Sequence, residues 1–325
     1  MDVTIVTEAY NLAEGQGLDE LETATNTVLA LIEGHDDREG IVLAPGTDPR
    51  VEALVKGRHP RLRLLYADGA GYDALKDLAA DEARGTFIAY LDGDCVPTRA
   101  DWLEQLLGPL RRGETDVAAG LTTYAGSDPL SAACSVLDFG FLLSPEGSGS
   151  IGCYASNNVA FPAELRRRIR PSLEVMRCNC YQHAQLLLRQ GYRIRCFPEA
   201  FALHQLPDLR KERFRRGYDL VAACWINPAL PEAAWMEPGE ATVSRLIRMN
   251  LEADRERLGR LAAHLGWRRR FTVRVGRLLP RLRRLDAIGI RRALRDGEAS
   301  GATRAARDAQ QAGQSICATG MAMER

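Results

Sequence analysis

Short apolar runs alternate with longer amphipathic segments along the first third of the chain. Runs with strand composition lie at residues 3–6, 41–43, 62–66, 86–91 and 116–119. Helical periodicity occupies residues 19–33, 49–56, 72–84 and 99–112. Regular alternation of this kind predicts an α/β fold, in which helices flank a doubly wound, mostly parallel sheet.

The rest of the chain is less regular and then becomes helical. We predict a helix over residues 127–143, a loop over 144–150 and a strand over 158–161. A helix over 183–190, ended by Gly191, precedes strands over 192–196 and 198–204, and the second of these strands finishes in His204. Residues 241–295 show helical periodicity with arginine on the polar face, and small polar residues dominate from Asp296 onward. We therefore expect a domain over residues 1–217, a helical arginine-rich extension over 218–296 and a disordered tail over 297–325.

Two carboxylates follow the apolar run at residues 87–91. Asp92 and Asp94 are separated only by Gly93, and ligands of open α/β sheets bind beyond the carboxyl ends of the strands. Paired carboxylates at such a position suit Mn²⁺ or Mg²⁺ shared with substrate phosphates. The alternative is an exposed turn, because Asp-Gly is a common turn dipeptide.

Composition fits an ordinary globular enzyme. The chain has 325 residues, of which 46% are hydrophobic, and its 43 basic residues balance 43 acidic ones, so net charge gives no reason to expect a nucleic-acid partner. No apolar run approaches the roughly 18 residues that span a bilayer, and the first strand begins at Val3, which leaves no room for a signal peptide. We expect a cytoplasmic protein, with membrane association at the inner face as an open possibility.

The eight cysteines lack paired C-x-x-C spacing, which favours thiols over a disulfide framework. A zinc site that combines Cys178 and Cys180 with Cys153 or Cys196 is the alternative, although this spacing matches no standard structural motif.

Several motifs occur in an order that resembles the GT-A glycosyltransferases of family two, from residue 3 to about residue 217. Residues 3–11 (VTIVTEAYN) are similar to the family's first strand and nucleotide-binding loop, which usually ends in Pro-x-Tyr-Asn. Residues 71–84 resemble the helix that carries an Arg-Asn pair, here Lys76 and Asp77. Residues 92–97 (DGDCVP) match the metal-binding Asp-x-Asp and its proline, and residues 157–161 (NNVAF) resemble the acceptor-side strand.

The resemblance implies transfer of a sugar from a nucleoside-diphosphate sugar with Mn²⁺ or Mg²⁺ as cofactor. It implies that Asp92, Asp94 and His204 hold the metal. The donor contacts it implies are Thr7, Glu8, Tyr10, Lys76, Asp92, Arg213 and Arg216. The acceptor is not specified and stays open among a glycan, a lipid-linked molecule and a small molecule.

The chain departs from the family at the catalytic base. Inverting members carry a Glu-Asp pair where this chain has Asn179 and Cys180, and no acidic residue lies between Glu174 and Glu199. Three explanations stay open: His183 or Cys180 serves as the base, the acceptor needs no base, or the domain binds nucleotide without catalysis. The family also places a carboxylate near the nucleobase, where this chain has Leu43 and Ala44.

Two further alternatives concern other functions and partners. A nucleotidyltransferase is less favoured, because its glycine-rich loop would have to be Gly15-Gln16-Gly17, which lies far beyond the first strand. Residues 268–271 and 281–285 mix arginine with apolar residues, which suits peripheral contact with anionic lipid, a homodimer or a solvated helical bundle.

Overall fold

The structure is a computed structural model, which describes residues 1–10, 18–145, 149–171, 179–226 and 230–301. The Gly15–Gly17 segment, Cys178 and the expected tail beyond residue 301 lie outside the described residues. Among the described cysteines none forms a disulfide, as the sequence predicts. None of the helices in the described part of the chain is long and apolar enough to cross a membrane.

Strands and helices alternate from the amino terminus at the places that the hydrophobic pattern indicates, except for the short strand Cys95–Pro97, which the pattern did not predict. The elements of this part are β1 (Val3–Glu8), α1 (Leu18–Ile32), β2 (Arg38–Ala44), α2 (Pro49–Val55), β3 (Leu62–Tyr66), α3 (Tyr72–Glu82), β4 (Phe87–Leu91), β5 (Cys95–Pro97), α4 (Trp102–Arg111) and β6 (Val117–Tyr124). The observed and predicted ends differ by a few residues, because helix and strand termini depend on caps and on pairing partners.

The remaining elements are α5 (Pro129–Phe139), β7 (Asn158–Pro162), α6 (Ala163–Arg168), α7 (Cys180–Arg189), β8 (Ile194–His204), α8 (Leu209–Ile226), α9 (Glu240–His264) and α10 (Arg269–Ala299). Two short 3₁₀ helices lie at Gly140–Leu142 and Pro231–Trp235. The prediction of two strands between residues 192 and 204 was wrong: β8 is one strand that contains Pro198. It tolerates the proline because its pairing with β6 is irregular between Gly120 and Thr122.

The eight strands form one sheet in the order β3-β2-β1-β4-β7-β6-β8-β5. Strands β1 to β4 pair in parallel, whereas β7 is antiparallel to both β4 and β6. The sheet is therefore mixed beyond β4. The order of the first four strands is that of a doubly wound fold, in which ligands bind where the strand order reverses.

The chain divides into two compact units. The first comprises Met1–Ser127 and Asp138–Gln205, and the second comprises Asp128–Leu137 and the chain from Leu206. Helix α8 therefore belongs to the second unit, so the expected boundary at residue 217 falls within a helix. Helix α10 likewise continues to Ala299, past the expected end of the extension.

The core of the first unit is centred on β1 and β4. Val3, Ile5, Ala89 and Leu91 are fully or almost fully buried, as is Trp102 of α4. Trp102 also donates its indole N–H to Asn158 Oδ1 at 2.9 Å, which satisfies a polar group that burial would otherwise leave unpaired.

The second unit packs α8 closely against α10. A Cβ built on Gly289 would lie 1.9 Å from the backbone oxygen of Phe214, and one built on Gly217 would lie 2.0 Å from that of Asp286. A buried charge network accompanies this crossing: Arg283 of α10 donates to both carboxylate oxygens of Asp254 at 2.7 and 2.8 Å, and to Asp286 at 2.9 Å.

Replacing Gly289 by Ala should destabilise the protein by about 1–3 kcal/mol, because the added methyl group collides with backbone rather than with a flexible side chain. Gly259 is a matched control in α9, where nothing lies within 4 Å of a built Cβ. Alanine there should stabilise the helix by up to ~1 kcal/mol. Urea unfolding should therefore move the two midpoints in opposite directions. A Gly289→Ala midpoint at or above that of the unmodified protein would contradict the close crossing.

Candidate metal and donor site

The paired carboxylates lie at the end of β4, beside the end of β1. Glu8, Asp92 and Asp94 are 2%, 5% and 7% exposed, so three carboxylates are buried at one edge of the sheet. Gly93 allows this close arrangement, because a Cβ there would lie 2.2 Å from the backbone oxygen of Glu8. An exposed turn, the alternative considered for this motif, does not describe these residues.

Lys76 neutralises one of the three carboxylates. Its Nζ donates to Asp92 Oδ1 at 2.6 Å, to the backbone oxygen of Ser156 at 2.6 Å and to Tyr72 Oη at 2.5 Å. The Tyr72 hydroxyl in turn donates to Asp92 Oδ2, and it lies 3.1 Å from Ser156 Oγ. Both oxygens of Asp92 therefore have a protein partner, and the carboxylate is held in one orientation.

Asp94 faces His204, which ends β8. The distance from His204 Nε2 to Asp94 Oδ1 is 3.5 Å, and ligand atoms of Asp94, Cys95 and His204 all lie within 4.8 Å of one another. His204 Nδ1 lies 2.6 Å from the backbone oxygen of Gln205 and is placed to donate to it. In the neutral imidazole this leaves the lone pair on Nε2, the nitrogen that faces Asp94.

Cys95 was not among the predicted ligands. Burial, followed by the charge of Asp94, raises the pKa of its thiol well above the usual value, so the sulfur stays protonated. Its Sγ donates to Asp94 Oδ1 at 3.8 Å. Carboxylate oxygens suit Mn²⁺ and Mg²⁺, and neutral imidazole is a common metal ligand, whereas a protonated thiol suits neither ion. Asp94 and His204 are therefore the pair that fits such an ion.

Two aromatic rings pack near the imidazole of His204. Tyr124 and Phe139 lie 5.4 and 5.9 Å from the imidazole, measured between ring centroids. The Tyr124 hydroxyl donates to Asp138 at 3.0 Å, which orients the Tyr124 ring. The imidazole thus has its orientation set by packing as well as by its bond to Gln205.

Glu8 stands where the family usually has proline. Burial, followed by the charge of Asp92, raises the pKa of Glu8 to about 8, so Glu8 retains its proton at neutral pH without a compensating cation. Its carboxylate accepts a hydrogen bond from the backbone N–H of Tyr10. The Tyr10 and Tyr72 rings meet edge to face with centroids 6.0 Å apart, whereas Thr7 is buried within β1.

The first unit also contains both predicted base candidates. His183 of α7 is buried, its Nδ1 lies 2.6 Å from Tyr154 Oη, and burial together with the charge of Arg166 lowers its pKa to about 3. Such an imidazole is a weak base at neutral pH. Cys180 is the first residue of α7 and is partly exposed, and its neighbour Asn179 donates its backbone N–H to Asp73 at 3.1 Å.

The two predicted arginines belong to the second unit. Arg213 is completely buried, with its Nη1 3.6 Å from Asp286 Oδ1. Arg216 is partly exposed and donates to Glu212 at 2.7 Å. Contact of either residue with a donor phosphate stays a prediction.

Sequence reasoning missed Tyr72, Ser156 and Glu20. Tyr72 lies one helical turn before Lys76, a spacing that could have indicated their contact. Ser156 contributes a backbone oxygen, for which a side-chain pattern gives no signal. Glu20 lies in the first turn of α1, where burial, followed by the charge of Asp94, raises its pKa.

Comparisons with known proteins concern the fold and the first part of the chain. Residues 4–136 match the family model described as Glycosyl transferase family 2. A mannosyltransferase from Pyrobaculum calidifontis, solved in complex with GDP-Man and Mn²⁺, is similar over 89% of this chain and 86% of its own, with 15% identity and a TM-score of 0.58. A mycobacterial protein is similar over 69% of this chain and 74% of its own, with 15% identity and a TM-score of 0.50. No curated protein matches the sequence significantly.

At these identities the structural likeness shows the fold, and the family match covers the segment that carries the Asp-x-Asp motif. Residues 4–136 match the glycosyltransferase family 2 model, and the chain has a GT-A-like fold. The fold class is therefore confirmed, and the matched segment agrees with the family that the sequence motifs resemble.

Glu8 should make the protein less stable as the pH rises. An unfolded chain releases this proton near pH 4.5, whereas the folded protein retains it up to about pH 8, so stability falls between these values. Glu8→Gln should match the unmodified protein at pH 4 and exceed its free energy of unfolding by more than ~1 kcal/mol at pH 8 without metal. The exposed Glu33→Gln serves as the control for urea unfolding across this range. A difference between Glu8→Gln and the unmodified protein that does not change with pH would rule out the shifted carboxyl.

Proposed function

We propose that this protein transfers a sugar from a nucleoside-diphosphate sugar to an acceptor, with Mn²⁺ or Mg²⁺ held by Asp94 and His204. Asp92, which precedes Gly93 in the chain, would contribute a further carboxylate to the same site. The metal would neutralise negative charge that develops on the departing diphosphate.

The excess of buried carboxylate at the end of β4 is the observation that carries the proposal. Glu8, Asp92 and Asp94 are buried together, and Lys76 supplies one positive charge to the cluster. Burial is costly for a carboxylate that lacks a counter-charge. Since Lys76 compensates Asp92 and Glu8 retains its proton, a divalent cation would compensate Asp94. The Pyrobaculum calidifontis mannosyltransferase, solved in complex with GDP-Man and Mn²⁺, supports the same class of ligand.

Lys76 and Tyr72 would act mainly on Asp92. Because they engage both of its oxygens, they set the direction in which the carboxylate faces the donor. We propose that Lys76 also contributes positive charge to the donor phosphates, as the resemblance implies. Tyr10 and Glu8 lie at the neighbouring end of β1, where the nucleoside part of the donor is expected to bind.

The nucleobase must be selected without the carboxylate that the family usually places after its second strand. Leu43 and Ala44, which occupy that position, are buried in β2. Side chains of this kind offer no hydrogen bond to a base edge. We therefore propose testing uridine and guanosine donors side by side.

Two proposals account for the proton of the acceptor hydroxyl. With the pKa of His183 near 3, Cys180 is the better placed of the two candidates, because it is partly exposed at the start of α7. The other proposal is an acceptor that is already nucleophilic, such as a phosphate or a carboxylate. A Cys180→Ser variant separates these proposals, since loss of a thiolate base would lower turnover and remove the alkaline rise of its pH profile.

Asp94→Asn should lower donor turnover about a hundredfold or more, because the remaining site would bind the cation weakly. Release of free UDP or GDP from a panel of sugar donors, with Mn²⁺ and a panel of acceptors, measures this turnover. Asp37→Asn removes an exposed carboxylate from the region before β2 and should leave turnover unchanged. Full turnover in Asp94→Asn, or in unmodified protein stripped of divalent metal, would contradict metal-assisted transfer. Absence of both transfer and donor hydrolysis would favour a non-catalytic binding domain.

A further inference from the structure

One face of α10 combines exposed arginines with exposed aliphatic side chains. The residues of this face, here called the basic stripe, recur every three or four positions and so lie along one side of the helix. They are Arg270, Val273, Arg274, Arg277, Arg281, Arg284, Leu285, Ile288, Arg292 and Arg295. At 1.5 Å per residue the stripe is about 37 Å long.

Most arginines of the stripe make no ion pair within the described part of the chain. Arg292 pairs with Asp296 at 3.0 Å, whereas none of the ion pairs among described residues involves Arg274, Arg277, Arg281 or Arg284. By contrast, Arg283 on the inner face of the same helix is buried against Asp254 and Asp286. The buried arginine of α10 is therefore paired with carboxylates, whereas most arginines of the basic stripe are exposed to solvent.

The acidic residues of the second unit do not balance this face. On α10 itself Asp286 is buried, and Glu298 follows the end of the stripe. The exposed side of α9 is mixed, since it carries Glu252 and Glu256 together with Arg248 and Arg255. Positive charge is therefore concentrated on the outer face of α10 and favours an anionic partner.

The aliphatic members decide between anionic partners. Val273, Leu285 and Ile288 are 46%, 38% and 60% exposed on the same face as the arginines. Nucleic acid binds arginine through its phosphates, but its charged backbone offers no apolar surface to isoleucine and leucine side chains along a helix. The boundary between lipid headgroups and acyl chains accepts both kinds of side chain. A second copy of the chain is disfavoured, because two such faces would repel each other.

We infer that α10 docks on an anionic lipid membrane, with its axis in the plane of the surface and the basic stripe facing the lipid. The arginines would contact lipid phosphates, and the aliphatic side chains would enter the region below the headgroups. This inference rests on the second unit alone and does not depend on the proposed sugar transfer.

Flotation of the full chain with vesicles tests the inference. The protein should float with vesicles that contain 30% phosphatidylserine in phosphatidylcholine and remain behind with phosphatidylcholine alone. The double variant Arg277→Glu/Arg281→Glu should bind the anionic vesicles at least roughly thirtyfold more weakly. Arg248→Glu/Arg255→Glu is the matched control on α9: it changes net charge equally and should bind like the unmodified protein.

A second variant separates lipid docking from general attraction to anions. Leu285→Ser/Ile288→Ser keeps every arginine and should weaken vesicle binding severalfold, because its side chains no longer enter the lipid. Circular dichroism melts establish that each variant is folded. Equal binding losses in the α9 and α10 double variants would overturn the inference. Unchanged vesicle binding in Leu285→Ser/Ile288→Ser, with tighter binding to duplex RNA than to vesicles, would overturn it in favour of nucleic acid.

Discussion

The burial of Glu8, Asp92 and Asp94 beside a single ammonium group is the constraint on which the rest of the site depends. A folded chain tolerates such a cluster only if protons or cations compensate it. Lys76 compensates Asp92, and Glu8 retains its proton, as its raised pKa shows. Asp94 is left facing an imidazole whose Nε2 points toward it at 3.5 Å. The simplest partner for this arrangement is a divalent ion.

The sheet brings these groups together from distant parts of the sequence. Parallel pairing places the ends of β1 and β4 side by side, so Glu8 and Asp92 become neighbours. Helix α3 supplies Tyr72 and Lys76 one turn apart, and antiparallel pairing of β5 with β8 sets Cys95 opposite His204. The loop before β7 adds the Ser156 carbonyl. The close packing at Gly93 allows the carboxylates to approach β1 without a side-chain collision.

Local pattern was sufficient to predict β1 to β4 and β6, because buried parallel strands are short apolar runs between amphipathic helices, but it did not predict the three-residue strand β5. It also placed Asp92 and Asp94 correctly at a strand end. It failed at β8, since Pro198 suggests an interruption that an irregular pairing accommodates. It offered His183 as a candidate base, whereas burial beside Tyr154 and the charge of Arg166 lower the pKa of His183 to about 3. The burial of Arg213 depends on the packing of α8 against α10, which no local pattern records.

Anomalous X-ray scattering from crystals soaked with Mn²⁺ and a nucleoside diphosphate would test the central claim most directly. The account predicts a manganese peak within about 2.5 Å of both an Asp94 carboxylate oxygen and His204 Nε2, with diphosphate oxygens completing its coordination. If nucleotide is bound at this edge of the sheet and no manganese peak is found there, the assignment of the buried carboxylate cluster as a cation site is contradicted.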